Sequence, residues 1–200
     1  GIIGLARSGI STFNYVKNHA ASVIVYDDNA TVEAKYNNYF REIESSAWLE
    51  LDLIIMSPGV PPTHPSYSLN IKKISDIELY YLIAKDLGLD LFFIAITGTN
   101  GKSTITKQIS HMLNIPAFGN IGKPIFDRVF EPASNDPLEN KLENKLEDKV
   151  VLLEVSSFQL DLQDCFRPNI AMITNITPDH LDRYKDIEEY INSKLRISQN

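Results

Sequence analysis

The residues with the most chemical content are Thr97-Gly98-Thr99-Asn100-Gly101-Lys102-Ser103-Thr104. An apolar run, Leu91 to Ile96, leads into them, and a stretch that reads as helix, Ile105 to Leu113, follows. Strand, tight loop, helix is the layout of a phosphate-binding loop. Gly98 and Gly101 allow a sharp turn and a close backbone approach to an anion. The N–H groups opening the helix, with its dipole, favour negative charge there. Lys102 can reach the outer phosphates, and the Ser103 hydroxyl can bind Mg²⁺. The general pattern G-x-x-x-x-G-K-[ST] would put its first glycine at the position of Ile96, and here Gly98 lies inside the loop instead. The expected chemistry is that of a nucleoside triphosphate.

Further candidates stand at other strand ends. Glu154 closes the apolar run Val150 to Val155, the position of a second Mg²⁺ ligand in phosphate-loop enzymes. Ser156 and Ser157 after it read as turn or cap residues rather than nucleophiles, because no base is near in sequence. Asn175-Ile176-Thr177-Pro178-Asp179-His180-Leu181-Asp182-Arg183-Tyr184 follows the run Ile170 to Thr174, which puts His180 in a polar loop; Asp182 and Arg183 can pair with each other. Lys194 and Arg196 lie on a helix downstream. Gly4-Leu5-Ala6-Arg7-Ser8-Gly9 resembles a dinucleotide turn without its middle glycine, with helix-start N–H groups able to hold a diphosphate around Ser8 and Gly9. Asp27-Asp28 sits where a ribose-binding acid is expected. Ser57-Pro58-Gly59 is a rigid turn at a strand's C-terminal end, where open α/β sheets bind ligands. Asn120, in Gly119-Asn120-Ile121-Gly122, can offer its amide to a ligand or a metal-bound water.

The elements that must position these residues alternate. Helices are expected over Ile10 to Asn18, over Ile77 to Lys85 with Asp76 as its cap, and over Ile187 to Ser198. Strands are expected at Ile2-Ile3, Ser22 to Tyr26, Leu51 to Met56 and Ile71 to Ile74. This alternation argues parallel sheets covered by helices, and the all-apolar runs Val150 to Val155 and Ile170 to Thr174 suit strands covered on both faces. Asp86-Leu87-Gly88-Leu89-Asp90 is the best boundary, giving units 1–88 and 89–200. Leu138 to Lys149 repeats a four-residue unit and reads as a solvated insert, about 133–149, without chemistry.

Composition narrows the function. The 200 residues suit one or two domains. A net charge of -7 argues against a nucleic-acid partner. Cys165 is the only cysteine, which excludes an internal disulfide or a cysteine metal cluster. No apolar run approaches the ~18 residues of a membrane span, and no signal peptide is evident. A cytoplasmic monomer acting on small molecules is expected. The chain opens mid-strand without methionine and closes within a helical stretch, and so reads as a fragment.

Taken in order, these motifs resemble the Mur ligase family. Thr97 to Ser103 is that family's loop. Asp76-Ile77-Glu78-Leu79, Ser156-Ser157-Phe158-Gln159-Leu160 and Asp179-His180-Leu181-Asp182-Arg183-Tyr184 are most similar to its D-glutamate-adding branch. The resemblance implies a Rossmann-like UDP-binding domain over 1–88 and a partial phosphate-loop ATPase-type domain over 89–200. It implies an ATP- and Mg²⁺-dependent, amide-forming ligase of peptidoglycan synthesis, with UDP-N-acetylmuramoyl-L-alanine and D-glutamate as substrates and an acyl phosphate between them. The precursor would contact Arg7, Ser8, Gly9, Asp27, Ser57, Pro58, Gly59, Asn120 and Ser156. ATP would lie on Gly98, Thr99, Asn100, Gly101, Lys102, Ser103 and Thr104. Ser103 and Glu154 would hold one Mg²⁺, and His180 and a carbamylated Lys194 another; Lys102, His180 and Lys194 would be catalytic. In the family, residues beyond this stretch bind D-glutamate and close over ATP, so the chain alone is expected to bind precursor but form no amide. The rivals are another Mur or folyl-polyglutamate ligase, or a nucleotide-binding module without catalysis. Two departures from the family pattern are Arg7, where a small or apolar residue is usual, and a shorter spacing from His180 to Lys194.

Overall fold

The computed structural model describes residues 1–128 and 146–199. Most of the four-residue repeat therefore lies outside the described residues. Within them the chain forms two parallel sheets, as the alternating pattern requires.

The first sheet contains β1 (Ile2–Ile3), β2 (Val25–Tyr26), β3 (Leu53–Met56) and β4 (Lys72–Ile74), in the order β2-β1-β3-β4. The second contains β5 (Phe92–Thr97), β6 (Ala117–Gly119), β7 (Val150–Glu154) and β8 (Ile170–Ile173), in the order β6-β7-β5-β8. The helices are α1 (Arg7–Val16), α2 (Ala30–Lys35), α3 (Asp76–Asp86), α4 (Lys102–Leu113), a short α5 (Leu146–Lys149), α6 (Ser157–Asp161) and α7 (Ile187–Leu195). No helix among the described residues is long and apolar enough to cross a membrane.

In both sheets the connections leave the C-terminal strand ends, so the motif loops gather at those ends. The register is parallel throughout: Ile2 sits between Val25 and Ile55, and Ile96 pairs with Glu154 on one side and Met172 on the other.

Helix α3 serves both halves. Its Ile77 and Tyr80 enter the core formed by Phe93, Ala95, Val151 and Leu153. Its Leu79 and Leu82 pack against Ile2, Ile55 and Ile74 of the first sheet. The cap of α3 is Ser75, whose hydroxyl accepts from Glu78 N–H, rather than Asp76. Asp76 is instead buried at the joint, where its Oδ1 accepts from Gln159 Nε2 at 3.1 Å. Glu78 is buried too and accepts from the Cys165 and Phe166 N–H groups at 2.7 and 2.9 Å. Charge-assisted bonds of this kind contribute about 1.5–3 kcal/mol each. Gly88, at φ +67°, ends the helix.

The expectation that both apolar strands of the second half are covered on both faces needs one correction. Strand β7 is fully buried, whereas Ile170, Ala171 and Met172 of β8 are exposed. Helix α4 packs on β5 and β7 through Ile105 and Ile109 and does not extend over the outer strand β8.

Candidate functional site

Among the α-helices whose N-terminal cap is described, two begin without a side-chain cap. Asn29, Ser75, Ser156 and Asp186 cap α2, α3, α6 and α7 through their side chains. Ala6 before α1 cannot cap, and Gly101 before α4 has no side chain. First-turn N–H groups without a protein acceptor need water or an anion. These are the two helices that the sequence marked for phosphates.

The loop before α4 is held from β8. A Cβ on Gly98 would stand 2.0 Å from Thr174 Oγ1, so only glycine fits at its φ of +146°. Asn175 accepts from the Thr99 and Asn100 N–H groups through its backbone and side-chain oxygens, both at 3.0 Å. Its amide and the Thr174 hydroxyl donate to Asn100 O at 2.9 and 2.6 Å. Thr99 Oγ1 also lies 3.1 Å from Tyr190 Oη of α7. Lys102 Nζ folds over the loop and donates to Gly98 O and Thr99 O at 2.7 and 2.8 Å. Ser103 is half-buried in the first turn of α4, and Thr104 is exposed.

Lys194 joins them. It is 2% exposed, donates to Gly98 O at 3.0 Å and lies 4.4 Å from the centre of the Tyr190 ring. Burial, and then repulsion from Lys102, lower its pKa from 10.5 to about 8. At pH 7 roughly a tenth of the amine is then neutral, far more than for an ordinary lysine. His180, in the left-handed region at φ +54°, is exposed, with its ring 5.0 Å from Phe158 and 6.1 Å from Tyr190. His180 and Lys194 thus flank one tyrosine without bonding each other.

Glu154 ends β7 with both oxygens buried. Oε1 accepts from Asn120 Nδ2 at 2.8 Å, while Oε2 has no protein partner. A buried carboxylate oxygen without a donor is costly and suits a cation. Asn120 therefore turns its amide to Glu154. Gly119 lets this turn wrap the strand end, since a Cβ there would sit 2.4 Å from Glu154 O. Among the described residues no three His, Cys, Asp or Glu side chains converge as a metal cluster.

A cleft of about 380 Å³ opens at the end of the first sheet, lined by Gly4, Arg7, Ser8, Asp27, Ser57, Pro58 and Gly59 among others. Several of these residues shape the wall through their own bonds. Asp27 accepts from Leu5 N–H at 2.5 Å and Asn29 N–H at 2.9 Å. Ser57 donates to Gly4 O at 2.5 Å. Gly9 lies beneath the turn, where a Cβ would meet Gly4 O at 1.9 Å. Arg7 reaches across to Gly122 O at 2.7 Å. Ser156 caps α6 in a reciprocal box with Gln159.

Arg183 does not pair with Asp182. Its guanidinium lies 3.6 Å from the Phe158 ring centre and donates to Pro58 O and Val60 O at 3.1 and 2.9 Å. The loop carrying His180 is thereby tied to the cleft wall. Sequence reasoning did not single out His64 in that wall, Asn175 under the loop, or Tyr190 between His180 and Lys194. The one available signal was for Asn175, which directly follows an apolar strand.

Comparison with known proteins bears on the family and the fold. Residues 1–78 match the family model described as Mur ligase MurD-like, N-terminal domain, and residues 96–200 match the Mur ligase middle domain. The UDP-N-acetylmuramoylalanine–D-glutamate ligase of Rickettsia prowazekii (strain Madrid E) is 44% identical over 98% of this chain and 43% of its own length. The like-named protein of Caldicellulosiruptor saccharolyticus is 33% identical over 100% of this chain and 45% of its own. The chain thus spans less than half the length of these relatives. A crystal structure of UDP-N-acetylmuramate:L-alanyl-gamma-D-glutamyl-meso-diaminopimelate ligase from Neisseria meningitides shares the fold, with a TM-score of 0.50 at 15% identity over 98% of this chain and 67% of that one. Two family models in sequence, the second alone covering more than half of the residues, show that the chain belongs to the Mur ligase family.

Proposed function

We propose that the chain carries the precursor and nucleotide sites of an ATP-dependent ligase that joins D-glutamate to UDP-N-acetylmuramoyl-L-alanine. The observation that carries this reading is the meeting of Lys102 and Lys194 at Gly98 O beside the uncapped start of α4. Residues 1–88 are read as the precursor unit. The diphosphate lies on the first turn of α1 at Arg7, Ser8 and Gly9, with Asp27 at the ribose and the Ser57-Pro58-Gly59 turn as a wall. Residues 89–200 are read as the nucleotide unit, with ATP on Gly98 to Thr104.

Lys102 neutralises charge as the γ-phosphoryl group passes to the precursor carboxylate. ADP leaves in that transfer; the amine of D-glutamate then attacks the acyl phosphate, forming the amide and releasing phosphate and a proton. The unpartnered Oε2 of Glu154 fits a hard cation. Ser103 and Glu154 are read as ligands of one Mg²⁺, and His180 with a carbamylated Lys194 as ligands of another. When bound, Mg²⁺ supplies positive charge against the phosphoryl oxygens. Asn120 and Ser156 hold Glu154 and α6 in place rather than touching the precursor first. A cytoplasmic monomer suits a substrate linked to UDP.

The test is calorimetry on the chain with the UDP-linked precursor and, separately, with ADP and Mg²⁺. Both are expected to bind, and only the second should need Mg²⁺ and Lys102. Nucleotide binding indifferent to Mg²⁺ and to Lys102→Ala would sink the reading.

A further inference from the structure

The carbonyl oxygens of Gly98, Thr99 and Asn100 are all engaged by side chains, and the holds are of two kinds. Lys102 donates to Gly98 O and Thr99 O, and Lys194 to Gly98 O as well. Asn100 O receives the Thr174 hydroxyl and the Asn175 amide at 2.6 and 2.9 Å. An ammonium on a flexible stem prefers an anionic phosphate oxygen to a neutral carbonyl. A Lys102 that reaches a bound nucleotide therefore gives up both loop carbonyls. Thr174 and Asn175 are short side chains at the end of β8. Thr174 N–H carries the ladder one residue further, to Thr97 O at 2.9 Å. These two holds stay where the sheet puts them.

Asn175 grips Asn100 at both polar ends. Its Oδ1 accepts from Asn100 N–H at 3.0 Å while its Nδ2 donates to Asn100 O. A backbone N–H only donates and a backbone oxygen only accepts, so the amide can face just one way. A carboxylate of the same shape could not make both bonds when ionised. The Asn175 backbone oxygen also accepts from Thr99 N–H at 3.0 Å. Two N–H groups of the loop are thus engaged by the protein itself. Helix α4 makes its first internal bond from Ile105 N–H to Gly101 O. The N–H groups of Lys102, Ser103 and Thr104 before it are the ones left to meet an anion.

We infer that Asn175 is a positioning residue for nucleotide binding: its amide clamps Asn100, so that the first turn of α4 keeps its aim when Lys102 turns from the loop carbonyls to the phosphates. The inference rests on reading Gly98 to Thr104 as the nucleotide site. Asn175 itself touches no phosphate. It fixes the loop in advance, so that binding does not have to order it.

The experiment combines amide hydrogen exchange of the nucleotide-free chain, followed by NMR, with calorimetry using ADP and Mg²⁺ and, separately, the UDP-linked precursor. In the unsubstituted chain the Asn100 amide should exchange at least about tenfold more slowly than in an open chain. Asn175→Ala should abolish that protection and leave Thr99 protected, because the Thr99 acceptor is a backbone oxygen. The same variant should bind ADP about tenfold more weakly and the precursor within about twofold of the parent. A folded Ala variant that keeps its ADP affinity overturns the inference. So does one that loses both ligands equally, as a general structural role would produce, or one in which ADP weakens while Asn100 stays protected. If the Ala variant does not fold, exchange in the unsubstituted chain decides: a protected Asn100 amide supports the inference, and exchange at the open-chain rate overturns it. Failure of the unsubstituted chain to bind ADP overturns the nucleotide reading, and this inference with it, even where Asn100 is protected.

Discussion

Lys102 and Lys194 donate to a single carbonyl oxygen, that of Gly98, at 2.7 and 3.0 Å. They come from opposite ends of the second half, one from the first turn of α4 and the other from the last turn of α7. Burial, and then the charge of Lys102 on the same acceptor, make Lys194 yield its proton more easily than an ordinary lysine.

Lys194 should therefore give stability a pH dependence. Its pKa is about 8 in the folded chain, against 10.5 as the ordinary value. Between these values the unfolded chain binds more protons, so stability from this group rises with pH from about 8 to 10.5 and is lost on acidification. Thermal unfolding across that range should show the rise, and Lys194→Met should flatten it. Lys102→Ala should raise the Lys194 pKa, because the second cause of its lowering is removed. A parallel pH profile for Lys194→Met would contradict the assignment.

Lys102→Ala should weaken ADP binding by about a hundredfold, the worth of a charged contact to phosphate. The fold should persist, because Asn175 and Thr174 hold the loop independently of Lys102. Circular dichroism and nucleotide titration on the same sample check both halves of this statement.

Glu154→Gln should leave binding of the UDP-linked precursor unchanged and reduce the Mg²⁺ dependence of nucleotide binding at least tenfold. The Gln oxygen can still accept from Asn120, so the turn at Gly119 is kept. Paired titrations with and without Mg²⁺ measure the difference; equal losses for both ligands would remove Glu154 from the metal site.

Asp76→Asn should stabilise the chain at neutral pH relative to acid. Burial raises the Asp76 pKa above its ordinary 3.8, the bond from Gln159 opposing it. The folded chain then binds more protons, and the stability from this group is lost as pH rises through the folded pKa. Denaturant unfolding at pH 4 and pH 7 should show the gap between variant and parent widening in favour of the variant with pH.

Arg183→Gln should weaken precursor binding several-fold while leaving ADP affinity near the parental value. The substitution removes two donors to the cleft wall and the stack on Phe158. Arg183→Lys should rescue little, since an ammonium cannot bridge both carbonyls and lie flat on the ring. Loss of both ligands together would mean a general fold defect.

Local order in the chain determined a good deal here. The apolar run before Thr97, the glycines at 98 and 101 and the Lys-Ser pair specify a strand, a turn and a helix start within a dozen or so residues, so this strand–loop–helix unit was legible. The same holds for Glu154 at the end of β7 and for the turn at Gly4. Such features depend on backbone conformations and periodicities that neighbours in sequence set by themselves. Partners distant in sequence were decided only by the tertiary structure. Nothing near Arg183 announces Pro58 and Val60, and the adjacent Asp182 suggested a different pairing. Nothing near Asp76 announces Gln159, and the better cap stood one residue earlier at Ser75. The exposure of β8 was also hidden, because an apolar strand reads alike whether or not a helix reaches over it. His64 became visible only when the parallel order β2-β1-β3 brought the loop after β3 beside Asp28. Which side chains share a cleft depends on strand order, and strand order is settled by packing across the whole core rather than by any segment alone.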